Sequence, residues 1–180
     1  MKTALSRRLG LFLAACLLQA GLAQAAESQA EQDLRTAARY IQQRDYQQAL
    51  AHTQKALALD PKSAKANSGM GNIYAAMHQY GQAIPYLETA LRLHPNDPTA
   101  LYGLGACYMD LQQHEQAIPY LEKAVKIRPR EAKLAETLAV AYVRRGAIYG
   151  RQGQQRKARA SIHRRSPSFK KRATRREWTN

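Results

Sequence analysis

Residues 84–88 read Ile-Pro-Tyr-Leu-Glu, and the same five residues return at 118–122, which is 34 positions later. The step of 34 continues well outside this pentapeptide. Residues that recur at this step occupy equivalent positions of the repeat, and we call each set of them a column. Five columns hold like residues: Pro61, Pro95 and Pro129; Tyr40, Tyr74, Tyr108 and Tyr142; Ala49, Ala83 and Ala117; Ala56, Ala90 and Ala124; and Leu59, Leu93 and Ile127. A period of this length indicates a solenoid, in which each supersecondary unit buries its apolar face against its neighbours.

The columns resemble the tetratricopeptide repeat (TPR), a helix–turn–helix unit of 34 residues. With Ala64 as its first position, the second unit fills the family's columns with Met70-Gly71, Tyr74, Ala83, Leu87, Ala90 and Pro95. The third unit fills them with Leu104-Gly105, Tyr108, Ala117, Leu121, Ala124 and Pro129. The resemblance implies an all-α TPR solenoid. It places full repeats at 30–63, 64–97 and 98–131, and a partial fourth repeat or capping helix at 132–150.

The pattern fails inside the fourth unit. Leu138 and Tyr142 fall in register, but the next Ala and large apolar columns hold polar residues. Omitting residues 147–153 brings Ala158 and Ile162 into those two columns. Seven residues make two helical turns, so an elongated first helix would accommodate them.

The basic charge of the chain is concentrated at its ends. The net charge is +15, yet residues 27–129 carry ten basic and ten acidic groups. Residues 130–180 carry fifteen Lys and Arg against three acidic residues. We predict that residues 151–180 form a basic, disordered tail. A shifted reading frame is the alternative source of this Arg-rich end.

The N-terminus has the organisation of an export signal. Lys2, Arg7 and Arg8 precede an apolar run at 9–18, and residues 23–25 read Ala-Gln-Ala. A charged segment, a short apolar segment and a small-residue cleavage site are typical of a secretory signal peptide. The run is shorter than a permanent membrane anchor requires.

Two modes of processing are consistent with this N-terminus. Residues 13–16, Leu-Ala-Ala-Cys, resemble the lipobox of bacterial lipoproteins, in which Cys16 would be lipidated and would anchor the protein in a membrane. We favour cleavage after Ala25, so that residues 1–25 are the signal peptide and 26–29 a short linker. In both cases we expect an exported protein, in the periplasm if cleavage follows Ala25.

No set of residues with the spacing of a catalytic or metal site is apparent. His78 and His114 fall near turns between helices, and His94 precedes a closing proline. Cys107 occupies the column of Ile73, which favours packing in the core over reactivity. We therefore expect no enzymatic activity, no metal and no cofactor.

The resemblance implies a protein-binding scaffold, because the first helices of TPR units line a concave groove that takes a protein or peptide. The groove columns hold the candidate partner-binding residues Lys65, Ser68, Asn72, Thr99, Tyr102, Met109, Asp110, Lys133, Glu136 and Arg144. By analogy, such a scaffold would assist assembly of a complex in the bacterial cell envelope. The oligomeric state stays open.

The alternative function lies in the tail. Its Arg and Lys residues would bind an anionic surface, and the repeats would only present them. We do not expect nucleic acid as the partner.

One specialised TPR function is excluded at the level of residues. TPR domains that clamp the C-terminal carboxylate of cytosolic chaperones carry Lys, Asn and Arg at five positions of the groove. Those columns hold Leu34, Ala38, Gly69, Thr99 and Gly103 in this chain.

Overall fold

The computed structural model describes residues 2–164, which form eight helices and no strand. The helices are α1 Lys2–Gln42, α2 Tyr46–Leu59, α3 Ala64–Ala76, α4 Tyr80–Leu93, α5 Pro98–Asp110, α6 His114–Ile127, α7 Ala132–Arg151 and α8 Gln155–His163. Each odd-numbered helix packs against the even-numbered helix that follows it, and successive pairs stack through α2–α3, α4–α5 and α6–α7. The predicted all-α helical solenoid is therefore confirmed.

Side-chain caps start several of these helices. The Asp45 carboxylate accepts a hydrogen bond from the Gln48 amide at the start of α2, and the Ser63 hydroxyl accepts one from the Ala66 amide in α3. At the start of α5, Asp97 caps the helix immediately before Pro98. These residue types satisfy free amides that a helix N-terminus would otherwise leave without partners.

Glycine allows the two helices of a pair to cross closely. A β-carbon at Gly71 would stand 2.4 Å from Leu87 Cγ, and one at Gly105 would stand 2.6 Å from Leu121 Cγ. Both distances are shorter than carbon atoms tolerate, so these two positions cannot take a larger residue without movement of the neighbouring leucine. The repeated glycine column of the sequence thus marks the crossing point.

Stacked aromatic rings stabilise each of the first three helix pairs. The centroid distances are 5.5 Å for Tyr40–His52, 5.7 Å for Tyr74–Tyr86 and 5.8 Å for Tyr108–Tyr120. Each ring pair joins the first helix of a unit to its second helix, in a stacking geometry that stabilises aromatic contacts.

The turns inside the pairs share one geometry but not one spacing. A residue with a left-handed backbone conformation follows the end of each first helix. These residues are Arg44, His78 and Gln112, with φ values of 60°, 61° and 60°, and Gly153, with a φ of 71°. In each turn the amide of the third residue after the helix donates a hydrogen bond to a tyrosine carbonyl near the helix end. These bonds are Asp45 N to Tyr40 O at 2.9 Å, Gln79 N to Tyr74 O at 2.9 Å, Gln113 N to Tyr108 O at 2.8 Å and Gln154 N to Tyr149 O at 2.9 Å. This is the hydrogen bond of a Schellman C-cap.

The fourth turn comes seven residues late. Helix α7 has 20 residues, whereas α3 and α5 have 13 each. Seven residues add almost two turns, or about 10.5 Å of helix. The elongated first helix of the fourth unit is therefore present.

The predicted tail is partly wrong. Residues 151–164 are ordered into the end of α7 and into α8, and Ala158 and Ser161 on α8 are buried. A β-carbon at Gly146 would stand 3.3 Å from the Ala158 carbonyl oxygen, so small residues on both helices allow close packing of a helix that has few apolar side chains. The rest of the predicted tail, residues 165–180, lies outside the described residues.

The predicted linker at 26–29 is also wrong, because these residues lie inside α1. The segment Ala-Glu-Ser-Gln contains neither Gly nor Pro, so it does not interrupt the helix. Buried Ala30 then packs against Ala56 and Ala66. The side chain of Cys16 lies outside the described part of the chain. None of the helices in that part is long and apolar enough to cross a membrane.

Candidate functional site

The first helices α1, α3, α5 and α7 share a face that contains two hollows, which together we call the groove. The first hollow has a volume of about 470 Å³ and lies between α1, α3 and the start of α5. The second has a volume of about 390 Å³ and lies between α5 and α7. Nine of the ten residues predicted for a binding groove line one of the two hollows.

The first hollow contains Lys65, Ser68, Asn72 and Thr99. Ser68 is only 3 % exposed, and its hydroxyl therefore belongs to the floor of the hollow. Lys65 stands at the rim, where its ammonium lies 3.1 Å from the Glu31 carboxylate. That hydrogen bond, together with the charge of Lys65, lowers the pKa of Glu31.

Sequence reasoning missed the wall that α1 contributes to this hollow. Leu34, Ala37, Ala38 and Ile41 line it and make it largely apolar. Three of the four were available from the repeat, because Leu34 and Ala38 lie 34 residues before Ser68 and Asn72, and Ile41 lies 34 before Ala75. The sequence identifies Leu34 and Ala38 only as columns of the chaperone clamp, and the first unit, whose match to the repeat is the weakest, supplies no candidate binding residue.

The second hollow contains Tyr102, Met109, Asp110, Glu136 and Arg144. A further apolar side chain on α7 extends into the same space: Val140 is 39 % exposed. An exposed apolar side chain between charged neighbours is the kind of group that a partner can cover.

The remaining predicted residue, Lys133, does not line either hollow. Its ammonium lies 5.4 Å from the centroid of the Tyr102 ring, a cation–π geometry that joins α7 to α5 beside the second hollow. Tyr102 is half-buried, because it also packs against the cores between α5, α6 and α7.

Met109 is predicted to bind a partner, but the structure buries it. It is only 7 % exposed and belongs to a core with Leu121, Leu138 and Tyr142. Side chains of both α6 and α7 cover it. Met109 therefore contributes mainly to stability, and the exposed apolar role in this hollow falls to Val140.

The five columns of the chaperone carboxylate clamp lie along the groove without its chemistry. Leu34, Ala38 and Gly69 make part of the apolar wall of the first hollow. Gly103 is fully packed, since a β-carbon there would stand 2.4 Å from Asn72 Oδ1. The groove of this chain therefore differs in chemistry from such a clamp.

The helix pairs agree with the protein families whose models match this sequence. Residues 68–132 match the family described as tetratricopeptide repeat, and residues 37–78 match the family described as TPR repeat. Together the two matches extend from residue 37 to residue 132, which is more than half of the chain. The chain belongs to the tetratricopeptide repeat family. No curated protein sequence matches it significantly.

Solved structures share the fold at low sequence identity. A crystal structure of MamA is 22 % identical, with a TM-score of 0.63 over 97 % of this chain and 90 % of that one. YrrB, described as a TPR protein with an unusual peptide-binding site, is 24 % identical, with a TM-score of 0.56 over 72 % and 80 %. The second TPR domain of human RPAP3, in complex with the HSP70 peptide SGPTIEEVD, is 16 % identical, with a TM-score of 0.58 over 64 % and 97 %.

Proposed function

We propose that this protein is a non-enzymatic TPR scaffold whose groove binds an extended segment of a partner protein. The observation that carries the proposal is the groove itself, in which an apolar hollow and a mixed hollow follow one another along the first helices. Structural relatives support it, because YrrB and the second TPR domain of human RPAP3 are both described as binding peptides. The ligand chemistry differs from that of the chaperone clamp, since the five clamp columns lack its charged residues.

The two hollows favour a partner segment with one apolar and one polar part. The α1 wall of the first hollow would accept an apolar side chain. The second hollow offers Val140 beside Asp110, Glu136 and Arg144, so it would accept an apolar anchor flanked by charged or polar groups. This division gives a recognition pattern that selected peptides can display.

The experiment measures the affinity of a peptide selected against the full chain from a random display library. In the second hollow we expect Val140→Ala to weaken binding about fivefold, because the substitution removes two methyl groups that the ligand covers. Leu93→Ala is the matched control: Leu93 is 40 % exposed, against 39 % for Val140, but it lies at the end of α4 outside the groove. Equal affinities of the two variants would refute binding in the second hollow.

We also propose that the protein is exported and acts in a bacterial cell envelope, where it would help to assemble a complex. Support comes from the charged N-terminus, the apolar run at 9–18 and the Ala-Gln-Ala site at 23–25. Cell fractionation with N-terminal sequencing tests this proposal. A mature N-terminus at Ala26 supports cleavage, a lipid-modified Cys16 supports membrane anchoring, and an intact Met1 in the cytoplasm contradicts export.

A second candidate function rests on the basic C-terminal region. Arg156, Lys157, Arg159 and Arg164 are exposed on or beside α8, so this end of the solenoid would attract anionic surfaces. Binding to vesicles that contain anionic lipid, measured at rising salt concentration, separates the two functions. Steep loss with salt indicates the basic region, whereas a small salt dependence indicates the groove.

A further inference from the structure

A cleft of about 580 Å³ lies outside the groove, between the start of α6 and the two additional turns of α7 with the start of α8. We call it the edge cleft. It is mostly polar, and the residues that matter to its chemistry are His114, Glu115, Arg145, Tyr149, Gln152 and Lys157. None of these residues lines either hollow of the groove.

The elongation of α7 creates this cleft. It carries the α7–α8 turn about 10.5 Å beyond the point that the 34-residue step would set. The start of α8 is thereby displaced along α7, and the side chains at the start of α6 face the extension of α7 and the first turn of α8 across the cleft.

His114 lacks the hydrogen-bond partner that the equivalent residue of the preceding unit has. Tyr80 lies 34 residues before His114, and its hydroxyl donates a 3.0 Å hydrogen bond to Asp110. The residue 34 positions after Asp110 is Arg144, a cation in place of the carboxylate. Burial, with a contribution from the charge of Arg144, lowers the pKa of His114.

His114 is buried and unsatisfied. Its side chain is only 6 % exposed, and within residues 2–164 its Nδ1 has no hydrogen-bond partner. A buried polar atom without a partner destabilises the folded state, and native structures contain few of them. Because Nδ1 is itself covered, the ring must turn towards the cleft before a ligand group can bond to this nitrogen and remove this destabilisation.

The charge around the cleft is positive. Arg145 and Lys157 line it, and its single carboxylate, that of Glu115, accepts the hydrogen bond of the Tyr149 hydroxyl. Residues 137–164 contain seven Lys and Arg and no acidic residue. The N-terminus of α6 adds the positive end of a helix dipole. A negatively charged group therefore suits the site better than a neutral or cationic one.

We propose that the edge cleft is a second binding site, which takes a carboxylate of an acidic segment of a partner protein. The ring of His114 turns to present Nδ1 to the cleft and donates a hydrogen bond to the carboxylate, which lies within the field of Arg145 and Lys157. The site is independent of the groove, so the loss of binding at one leaves the other intact.

The test titrates full-length protein with a blocked tetra-glutamate peptide and follows the imidazole proton resonance of His114 by NMR. The His114→Gln variant identifies that resonance by its disappearance. We expect a saturable shift of the His114 signal, together with a rise in the pKa of His114, since a neighbouring anion favours the protonated ring. A blocked tetra-glutamine peptide should leave the signal unchanged. No shift with tetra-glutamate, or an equal shift with tetra-glutamine, would overturn the proposal.

Matched variants separate the cleft from general attraction to a basic protein. Lys157→Gln and Arg159→Gln each remove one exposed positive charge from α8, but only Lys157 lines the cleft. We expect Lys157→Gln to raise the dissociation constant about fivefold and Arg159→Gln to raise it less than about twofold. Equal effects of the two variants would assign the binding to the overall charge and overturn the proposal.

Discussion

Gly146 packs against Ile162 in the last helix pair, where a β-carbon at residue 146 would stand 3.0 Å from Ile162 Cγ1. The equivalent contact of the third pair joins Gly105 and Leu121, and both of those residues lie 41 positions earlier. On another face of the same helix, Tyr142 keeps the 34-residue step from Tyr108 and packs against α6. Helix α7 therefore follows two registers, one towards the unit before it and one towards its own partner helix.

The crossing glycine of the third pair should be intolerant of a methyl group. Gly105→Ala places a β-carbon 2.6 Å from two atoms of Leu121, so we expect a loss of about 1–3 kcal/mol in the free energy of unfolding. Gly81→Ala is the control, because the space around a β-carbon at that helical position is open, and we expect a gain of about 0.5–1 kcal/mol. Thermal or urea unfolding measures both, and equal stabilities would contradict the assigned crossing.

The left-handed turn residues should respond to reciprocal substitutions. Gln112 has a φ of 60° and carries a side chain, whereas Gly153 occupies the equivalent position with a φ of 71°. We expect Gln112→Gly to stabilise the protein and Gly153→Gln to destabilise it, each by about 1 kcal/mol, because glycine alone adopts this region without a steric penalty. Urea unfolding of the two variants checks the signs. Changes of the same sign would show that the turns are not equivalent.

Cys107 should be unreactive in the folded protein. Burial, with a contribution from Asp110, raises the pKa of its thiol to about 11, so almost no thiolate exists at pH 8. We expect no labelling of Cys107 by a thiol reagent in native buffer and complete labelling in guanidinium chloride. The Cys16→Ser background makes Cys107 the only thiol. Rapid labelling under native conditions would contradict the buried position.

The contact between Asp33 and His52 should make stability depend on pH in the acid range. His52 Nδ1 lies 2.8 Å from Asp33 Oδ1, and this hydrogen bond lowers the pKa of Asp33. A lowered folded-state pKa contributes stability that is fully present above the unfolded value of about 3.9 and is lost as the pH falls through the folded value. Asp33→Asn should therefore lower the free energy of unfolding at pH 7. At low pH its free energy of unfolding should be closer to that of the wild type.

Asp45→Asn is the control for this pH dependence, because asparagine caps a helix as well as aspartate does. At pH 7 its loss of stability should be smaller than that of Asp33→Asn, because the cap of α2 is retained. Urea unfolding at several pH values measures all three proteins. A constant difference between Asp33→Asn and the wild type across the acid range would exclude a stabilising contribution from the ionised Asp33 carboxylate.

Most of the fold was predictable, because a repeated unit makes the same contacts with its neighbours each time. The columns of Gly105, Ala117 and Leu121 identify a helix crossing from sequence spacing alone, and the structure places these three residues at that crossing. The groove was predictable to the same extent, since its columns come from the same repeat. The burial of Met109 was not predictable, because it depends on how α6 and α7 together pack over the end of α5.

The sequence alone determined the period, the helix pairs and the face that carries the groove, because each depends on residues within one unit or its neighbour. Only the tertiary structure decided that residues 155–163 form α8, and that the edge cleft exists. Seven residues advance a helix by almost two complete turns, so a helix that is two turns longer presents the same faces as before. The spacing of residues in the sequence therefore did not decide how α7 aligns with α8. The packing of Gly146 against Ala158 and Ile162 determines that alignment.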